Sequence, residues 1–325
     1  MDVLSDVMQA VRLKGAIYFD VHASEPLMAE TPPMMLVGHQ VMPGAAHVIP
    51  FHIMLRGSCW IESFESGDPP VEFHEGDIVI YPHGHGHTFV TNLGDRLPPD
   101  LDTYRRPEDG QLPIMMNLYE HGPPNLRFVC GYLACEAVPF NPLLEALPTQ
   151  ILAYRPAEGN HIEVDLIYAA VTESNTHRTG SDAILARLSE LLFLRVLRRY
   201  IAELPEHSEG WLAGLREPGI AKALELIHAQ PARNWTLEEI ARESGMSRAR
   251  FAERFSKCVG ETPVRYHTKW RIQLAANLLS QTKLPVEDVA ERIGYCSEAS
   301  FSRAFKNVVG IPPGKWRRAN VHAGQ

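Results

Sequence analysis

The stretch Ile293-Gly-Tyr-Cys-Ser-Glu-Ala-Ser-Phe-Ser-Arg-Ala-Phe-Lys306 decides the fold of the last third of the chain. A short helix is expected to end at Gly294, because glycine adopts a left-handed backbone without a Cβ clash. Ser297 can cap the next helix. Phe301 and Phe305 then form one buried stripe, since residues four apart share a helix face. The stretch therefore predicts a helix-turn-helix unit.

The same pattern occurs about fifty residues earlier. It begins with Thr236-Leu-Glu-Glu-Ile-Ala-Arg-Glu-Ser-Gly-Met-Ser247. The pairs offset by 50 are Ser247 and Ser297, Phe251 and Phe301, Phe255 and Phe305, and Gly260 and Gly310. Apolar residues at core-like positions in the segment between the units, Val264 to Gln281, indicate one helix that fixes the distance between them. Two such units in tandem are a stronger signal for DNA binding than either unit alone.

The face opposite the phenylalanines is polar and basic in both units. A capped amphipathic helix with such a face, set across a tight turn, suits the DNA major groove. The side chains expected to contact DNA are Ser247, Arg248, Arg250, Arg254 and Lys257 in the first unit, and Ser297, Ser300, Arg303 and Lys306 in the second.

Charge is distributed unevenly along the 325 residues, whose formal net charge is −8. From Pro218 onward the chain has 17 Lys and Arg against 10 Asp and Glu, so this part carries +7 and the part before it −15. A basic segment of this length favours a polyanionic partner such as double-stranded DNA. Chance clustering of cations on solvated faces is the alternative.

The segment from about Ala221 to Arg318 resembles the DNA-binding domain of AraC/XylS-type transcriptional regulators. The stretch from Ile293 to Lys306, followed by Gly310-Ile-Pro-Pro313, carries most of the resemblance. The resemblance implies two helix-turn-helix units in successive major grooves on one face of DNA, and RNA polymerase as a partner. It also implies that Arg303 contacts a base.

Other roles follow from the placement of the side chains. Lys306, Arg254 and Lys257 are expected to contact phosphates, which position the protein without specifying sequence. Arg248 and Arg250 either contact guanine in bidentate fashion or only solvate their helix. In the first unit Ala249, Ala252 and Glu253 lie near the usual base-contacting positions, where they suit a thymine methyl or a cytosine amine. Ser247 and Ser297 are helix caps first.

The N-terminal half has a different pattern, with dense Pro and Gly and short β-type runs at Phe51 to Leu55, Asp77 to Tyr81 and Leu126 to Tyr132. Short strands between turn signals indicate a sandwich or barrel. The stretch from Gly76 to His87 has the spacing of the second cupin motif. The expected fold class is therefore α+β, a cupin-like β-barrel followed by an all-α domain with two tandem helix-turn-helix units.

The expected domains are a cupin-like sensor over 1–180, a helical dimerisation segment and linker over 181–217, and the DNA-binding domain over 218–325. The helix from about Ser181 to Leu204 most simply supports a homodimer. Its alternative role is to pack only on its own domain.

A zinc site is one interpretation of the polar residues of the N-terminal half, although no cofactor is certain. His52, His87, Cys130 and Cys135, with His83 or His85 as substitutes for His87, could form a tetrahedral site. The alternative is a buried apolar Cys130 beside a polar rim of histidines. The first cupin motif lacks its usual His-x-His, which weakens the case for a metalloenzyme.

The leading hypothesis is a sequence-specific DNA-binding transcriptional regulator, not an enzyme, controlled by a small-molecule effector in the cupin-like domain. The alternatives are a cupin-type metalloenzyme with a helical appendage, and a dimerising DNA-binding protein without a ligand. No run of 18 uncharged apolar residues is present, so we expect no membrane span. Five scattered cysteines and an N-terminus without signal-peptide features favour the cytoplasm.

Overall fold

The computed structural model describes residues 2–11, 13–64, 67, 69–108, 110–119, 123–135, 139–154, 162–174, 176, 178–205 and 207–320. Its contacts divide the chain into two compact units. The two-sheet unit comprises Leu13–Glu136 and Leu147–Glu203. The helical unit comprises Met1–Arg12, Ala137–Ala146 and Leu204–Gln325. The predicted α+β class is confirmed.

The described residues of the two-sheet unit form ten strands in two sheets. The strands are β1 (Lys14–Ala23), β2 (Met28–Thr31), β3 (His47–Arg56), β4 (Ser58–Ser63), β5 (Val71–His74), β6 (Ile78–Ile80), β7 (His87–Val90), β8 (Ile114–Leu118), β9 (Leu126–Cys135) and β10 (Ile151–Ala153). One sheet has the order β10-β6-β3-β9-β1-β8 and the other β2-β7-β4-β5. Only β1 and β8 pair in parallel among the described ladders. The three strands predicted from the sequence lie in β3, β6 and β9.

Side chains of both sheets meet in one apolar core. Alternate residues of a strand point to opposite faces, so Phe128 and Tyr132 of β9 face Phe73 and Phe89 of the smaller sheet within this core. The rings of Phe89 and Phe128 lie 5.0 Å apart. Aromatic side chains therefore fill much of the space between the sheets.

In the part of this unit that the structure describes, three α-helices accompany the sheets: α2 (Met34–Val41), α4 (Ile162–Ser174) and α5 (Ser181–Glu203). Helix α5 packs on β1 along a stripe that includes the buried Leu192 and Val196. The approach is close at Gly15, because a Cβ built there would lie 2.3 Å from Ser189 Cβ. The helix predicted from about residue 181 to 204 is thus present and packs on its own unit.

The helical unit contains the remaining helices. They are α1 (Val3–Val11), α3 (Pro142–Ala146), α6 (Trp211–Gly214), α7 (Pro218–Ala229), α8 (Leu237–Glu243), α9 (Arg248–Val259), α10 (Pro263–Gln281), α11 (Val286–Arg292), α12 (Glu298–Val309) and α13 (Pro313–Asn320). The single helix expected between the two repeats is α10. None of the helices in the described ranges is long and apolar enough to span a bilayer.

Two segments from the N-terminal half belong to the helical unit. Asn277 Nδ2 of α10 donates a hydrogen bond of 3.0 Å to the Ala10 carbonyl of α1. The Phe140 amide, just before α3, donates to Gln273 Oε1 at 2.9 Å. The predicted domain limits of 1–180, 181–217 and 218–325 stay a prediction. In the packing, α5 belongs with the sheets and residues 204–217 belong with the helices.

Candidate nucleic-acid interface

The first helix-turn-helix unit is built by local hydrogen bonds. Thr236 and Glu239 form a capping box at the start of α8. Hydrogen bonds from Thr236 hold the pKa of the Glu239 carboxyl down at about 2. The turn passes through Gly245 at φ +69°, and Ser247 Oγ accepts the Arg250 amide to cap α9. The turn glycine and the Ser247 cap act within a few residues of their positions, which is why the sequence predicted this construction.

The second unit repeats this construction. Its turn passes through Gly294 at φ +85°. Ser297 Oγ accepts the Ser300 amide at 3.3 Å and caps α12. Phe301 and Phe305 are fully buried, with ring centroids 5.5 Å apart. Both predicted helix-turn-helix units are therefore present, with α9 and α12 in equivalent places.

The predicted DNA-contacting side chains lie away from the phenylalanine stripes. In an α-helix with 3.6 residues per turn, a residue two positions after Phe301 lies about 200° around the axis from it. Arg303 therefore projects from the face opposite the core, and it is exposed. The other predicted residues are also exposed, except for the half-buried Ser300: they are Ser247, Arg248, Arg250, Arg254, Lys257, Ser297 and Lys306.

Carboxylates pair with two of the first unit's predicted phosphate contacts. Arg254 binds Glu217, with Nη2 2.8 Å from Oε2, and this hydrogen bond lowers the pKa of Glu217 below its usual value. Lys257 Nζ lies 2.9 Å from Glu209 Oε1. DNA phosphates would have to compete with these carboxylates.

The remaining first-unit cations differ from each other. Arg248 Nε lies 2.9 Å from Glu238 Oε1. The Arg250 side chain makes no hydrogen bond or ion pair with any described residue. Contact with guanine would therefore require Arg248 to break its ion pair with Glu238, whereas Arg250 has no such pair to break among the described residues. Solvation of the helix remains the alternative for both side chains.

No described carboxylate pairs with the predicted DNA-contacting cations of the second unit. Within the described ranges, neither Arg303 nor Lys306 forms an ion pair or a side-chain hydrogen bond. Both cations are therefore available to an anionic ligand without breaking an existing contact. Sequence reasoning missed this difference between the units, because Glu209 and Glu217 lie outside the repeat.

The two-sheet unit brings two of the predicted zinc ligands together. His52 of β3 and His87 of β7 are fully buried, with their Nε2 atoms 2.7 Å apart. His87 Nδ1 lies 3.0 Å from the His85 carbonyl, so Nδ1 carries the proton, and the neutral ring accepts a hydrogen bond from His52 at Nε2. Tyr81 stacks on His87 at 3.8 Å.

Burial sets the protonation of this histidine pair. Desolvation lowers the pKa of His87 to about 3 and that of His52 well below its usual value. Both rings are therefore neutral near pH 7. The hydrogen bond between the rings satisfies Nε2 of each histidine, while Nδ1 of His52 has no hydrogen-bond partner among the described residues.

The structure does not bring together the four residues that were predicted to bind zinc. Cys130 pairs across the strands with His52, but Cys135 pairs with His47. Side chains alternate along β9, so two cysteines five residues apart point to opposite faces. Among the described residues no group of three or more His, Cys, Asp or Glu is arranged to hold a metal. Because the strand was expected to end near Tyr132, the sequence did not indicate that the two cysteines point to opposite faces.

The substitutes named for His87 do not complete the set. His83 Nε2 lies 2.9 Å from the Leu147 carbonyl, and its ring centroid is 5.7 Å from that of His85. Burial also raises the pKa of the Cys130 thiol, whereas a zinc-binding or redox-sensing cysteine needs its thiolate. The alternative of a buried, apolar Cys130 fits this environment.

Comparisons with known proteins agree with the two-part organisation. The chain matches a family described as Cupin over residues 2–202 and one described as a helix-turn-helix domain over residues 240–319. A protein of Streptomyces lividans named as an AraC-like transcription regulator is 32% identical, over 84% of this chain and 88% of its own.

Two further similarities concern a regulator and a solved structure. The HTH-type transcriptional regulator AlkR of Acinetobacter baylyi is 33% identical, over 82% of this chain and 87% of its own. The C-terminal domain of AraT, a response regulator from Geobacillus stearothermophilus, is 32% identical and covers 31% of this chain and 85% of its own, with a TM-score of 0.31.

Proposed function

The chain belongs to the AraC-type family of DNA-binding transcriptional regulators, and on this premise we propose that α9 and α12 enter successive major grooves of operator DNA. The observation that carries the proposal is the pair of capped helices, each with a buried phenylalanine stripe and an exposed polar face, within one compact unit. The relatives are named as regulators, so the chain is not an enzyme and the metalloenzyme alternative is wrong.

We propose different roles for the residues on these faces. Arg303, opposite the core and without a carboxylate partner among the described residues, contacts a base. Lys306 contacts a phosphate and adds affinity without specificity. Arg254 and Lys257 do the same once DNA displaces Glu217 and Glu209. The second unit is therefore proposed to supply more of the sequence discrimination.

The test begins with selection of duplexes from a random-sequence library by the full-length chain. Binding of the selected duplex is then compared with binding of a scrambled duplex at two salt concentrations. We expect selective binding whose affinity falls with salt, because phosphate contacts release counterions. Equal affinity for selected and scrambled duplexes would refute sequence-specific binding.

We also propose that a small-molecule effector bound by the two-sheet unit changes DNA binding. The chain passes between the units at four places, and at two of them a strand of one unit and a short helix of the other are close in sequence. Helix α1 ends at Val11 and β1 begins at Lys14, while β9 ends at Cys135 shortly before α3. A shift of either strand would act on a helix of the DNA-binding unit.

The effector proposal is tested with a compound library. Compounds that raise the thermal unfolding midpoint of the full-length protein are added to the DNA titration. An effector that favours one DNA-binding arrangement changes the affinity for DNA. Thermodynamic linkage requires DNA to change the affinity for the effector by the same factor. Stabilising compounds that leave DNA affinity unchanged would contradict the proposal and support a regulator without a ligand.

We propose that a second copy of the chain covers the outer face of α5. Ile184 and Leu191, two turns apart, are 45% and 43% exposed although the opposite stripe is buried. Ile184→Glu with Leu191→Glu should shift the protein to a monomer in sedimentation equilibrium, whereas Leu93→Glu, at another exposed leucine, should not. A wild-type monomer, or a dimer that survives both changes, would refute this interface.

Cytoplasmic location and contact with RNA polymerase are the further expectations for such a regulator.

A further inference from the structure

The turn of the second helix-turn-helix unit touches the loop that leads into the first. A Cβ built on Gly294 would lie 2.1 Å from the Ala232 carbonyl oxygen, between α7 and α8. The equivalent residue of the first unit is Gly245, where a Cβ would meet no atom within 4 Å. Both glycines have positive φ, so both serve their own turns. Only Gly294 is also needed for a close contact with another segment.

A buried arginine of α10 joins the same contact. Arg271 donates hydrogen bonds to the carbonyls of the loop before α8: Nε to Pro231, and Nη2 to Ala232 at 3.0 Å and Arg233 at 2.8 Å. It is 8% exposed. Its guanidinium carbon lies 5.7 Å from the centroid of the Tyr295 ring. The loop, α10 and the second turn therefore meet at one place.

A second residue of α10 strengthens this loop contact. His267, one turn before Arg271, places Nε2 2.8 Å from the Pro231 carbonyl. Asn234 Oδ1 accepts a further hydrogen bond from Arg271 at 3.1 Å. The loop is thus held to α10 by side chains on successive turns of one helix face.

The contacts of Gly294 and Arg271 with the loop before α8 give the two helix-turn-helix units a second connection. The first connection is α10, whose Tyr266 packs against Phe255 of the first unit and whose Ile272 and Leu279 lie in the core of the second. Bending of α10 between these contacts would turn one recognition helix relative to the other. Contact between the Ala232 loop and the Gly294 turn opposes that bending, because it joins the two units beside α10.

We propose that the junction formed by Ala232, Arg271, Gly294 and Tyr295 sets the number of base pairs that the protein accepts between the sequences bound by α9 and α12. The inference rests on the proposed function, since both units must contact DNA. Arg271 and Gly294 are positioning residues in this scheme. They select operator spacing without contacting DNA.

DNA geometry makes this selection strong. Inserting one base pair moves one half-site by about 3.4 Å and rotates it by about 35° around the helix axis. Two rigidly connected helix-turn-helix units can then contact only one half-site at a time. The protein loses the avidity gain of about 10²- to 10⁴-fold that simultaneous contact with both half-sites provides. If the connection between the units is flexible, both units can still contact the displaced half-sites, but the protein binds the duplex with the correct spacing less tightly.

The experiment compares Gly294→Ala with Gly245→Ala in the full-length protein. Both substitutions place alanine at positive φ, but only the first meets the Ala232 carbonyl. The probes are the library-selected duplex, the same duplex with one or two inserted base pairs, and a duplex with one half-site. Fluorescence anisotropy measures each dissociation constant. Arg271→Met is a second variant that removes the loop hydrogen bonds without placing a Cβ at the turn.

We expect the wild type and Gly245→Ala to lose about 100-fold or more in affinity on a one-base-pair insertion. Gly294→Ala and Arg271→Met should lose about tenfold at the correct spacing, and the insertion should then cost them less than about tenfold. Affinity for the single half-site should be unchanged in all four proteins. This last result separates a positioning role from general loss of structure.

Several results would overturn the inference. The inference would be wrong if Gly294→Ala and Arg271→Met both lost as much affinity on the insertion as the wild type. It would also be wrong if the wild type bound the duplex with the insertion as tightly as the selected duplex. If Gly294→Ala unfolds, Arg271→Met decides. If Arg271→Met also fails to fold, Arg271→Lys replaces it, and full spacing discrimination in that variant refutes the role of the guanidinium contacts. Failure of the wild type to select any sequence would instead count against the proposed function.

Discussion

Replacing Arg303 by alanine should remove sequence discrimination and leave folding intact. The side chain is exposed, lies about 200° around α12 from Phe301, and pairs with no described carboxylate. Arginine and alanine both favour helices, so the free energy of unfolding should change by less than about 0.5 kcal/mol. A lost base contact should cost about 1–3 kcal/mol of discrimination. That range corresponds to a factor of about 5–150 in the ratio of specific to random binding.

The assay is a fluorescence anisotropy titration of the full-length protein with the selected and scrambled duplexes. Lys306→Ala is the matched control, since this cation lies on the same helix and is also exposed. It should weaken binding to both duplexes alike and reduce the slope of log affinity against log salt by about 0.9, the value for one phosphate contact. Selection of duplexes by the Arg303→Ala variant should show relaxed preference at one base pair.

Equal weakening of selected and scrambled binding by Arg303→Ala would refute the base-contact role. Arg303 would then be a phosphate contact like Lys306. Unchanged affinity for both duplexes would remove Arg303 from the proposed interface. An unfolding midpoint lowered by several degrees would show that Arg303 has a structural role that its exposure does not indicate.

Three further predictions concern charge, protonation and thiol reactivity. Glu217→Gln should tighten DNA binding at low salt, because Arg254 then reaches its phosphate without first leaving a carboxylate. Stability of the wild-type two-sheet unit in urea should fall as pH decreases from about 6.5 towards 3, because the unfolded imidazole of His87 takes up a proton that the buried ring, with a pKa of about 3, does not. His87→Phe should therefore flatten this pH dependence. Iodoacetamide at pH 8 should label the exposed Cys296 first, while Cys59, buried with its pKa raised to about 12, should not react.

Each of these predictions has a control. Glu225→Gln removes a carboxylate paired with Lys222 on α7 and should leave DNA affinity unchanged; an equal gain in both variants would mean a general charge effect. His39→Phe at an exposed histidine should keep the wild-type pH dependence, and an unflattened profile in His87→Phe would contradict the prediction for the buried pair. Labelling of Cys130 as fast as Cys296 would show that the core opens readily.

The helix-turn-helix units could be predicted in detail because their determinants are local. The caps at Ser247 and Ser297, and the turn glycines Gly245 and Gly294, act within a few residues of their positions. The class of the N-terminal half followed from short β-type runs, such as the one that lies in β3. Strand ends were less predictable, and the underestimated length of β9 is why Cys130 and Cys135 were placed together in one predicted site.

The candidate site could be predicted only in part. Arg303 and Lys306 are exposed on the expected face of α12. Whether a cation was already paired depended on acidic residues elsewhere, such as Glu217, which is 37 residues from Arg254. No spacing rule relates those two positions, because Glu217 precedes α7 and Arg254 lies in α9, and the tertiary fold sets how these helices pack.

The sequence by itself determined the family, the two recognition helices and the charge of the DNA-binding half, because helix caps, glycine turns and i, i+4 stripes are encoded over short distances. Only the tertiary structure decided which distant segments meet. It joined Ala10 to Asn277, 267 residues apart, and Phe140 to Gln273, 133 residues apart. It also directed Cys130 and Cys135 to opposite faces of one sheet. Such contacts depend on how complementary surfaces pack across the whole chain, and no local pattern specifies that packing.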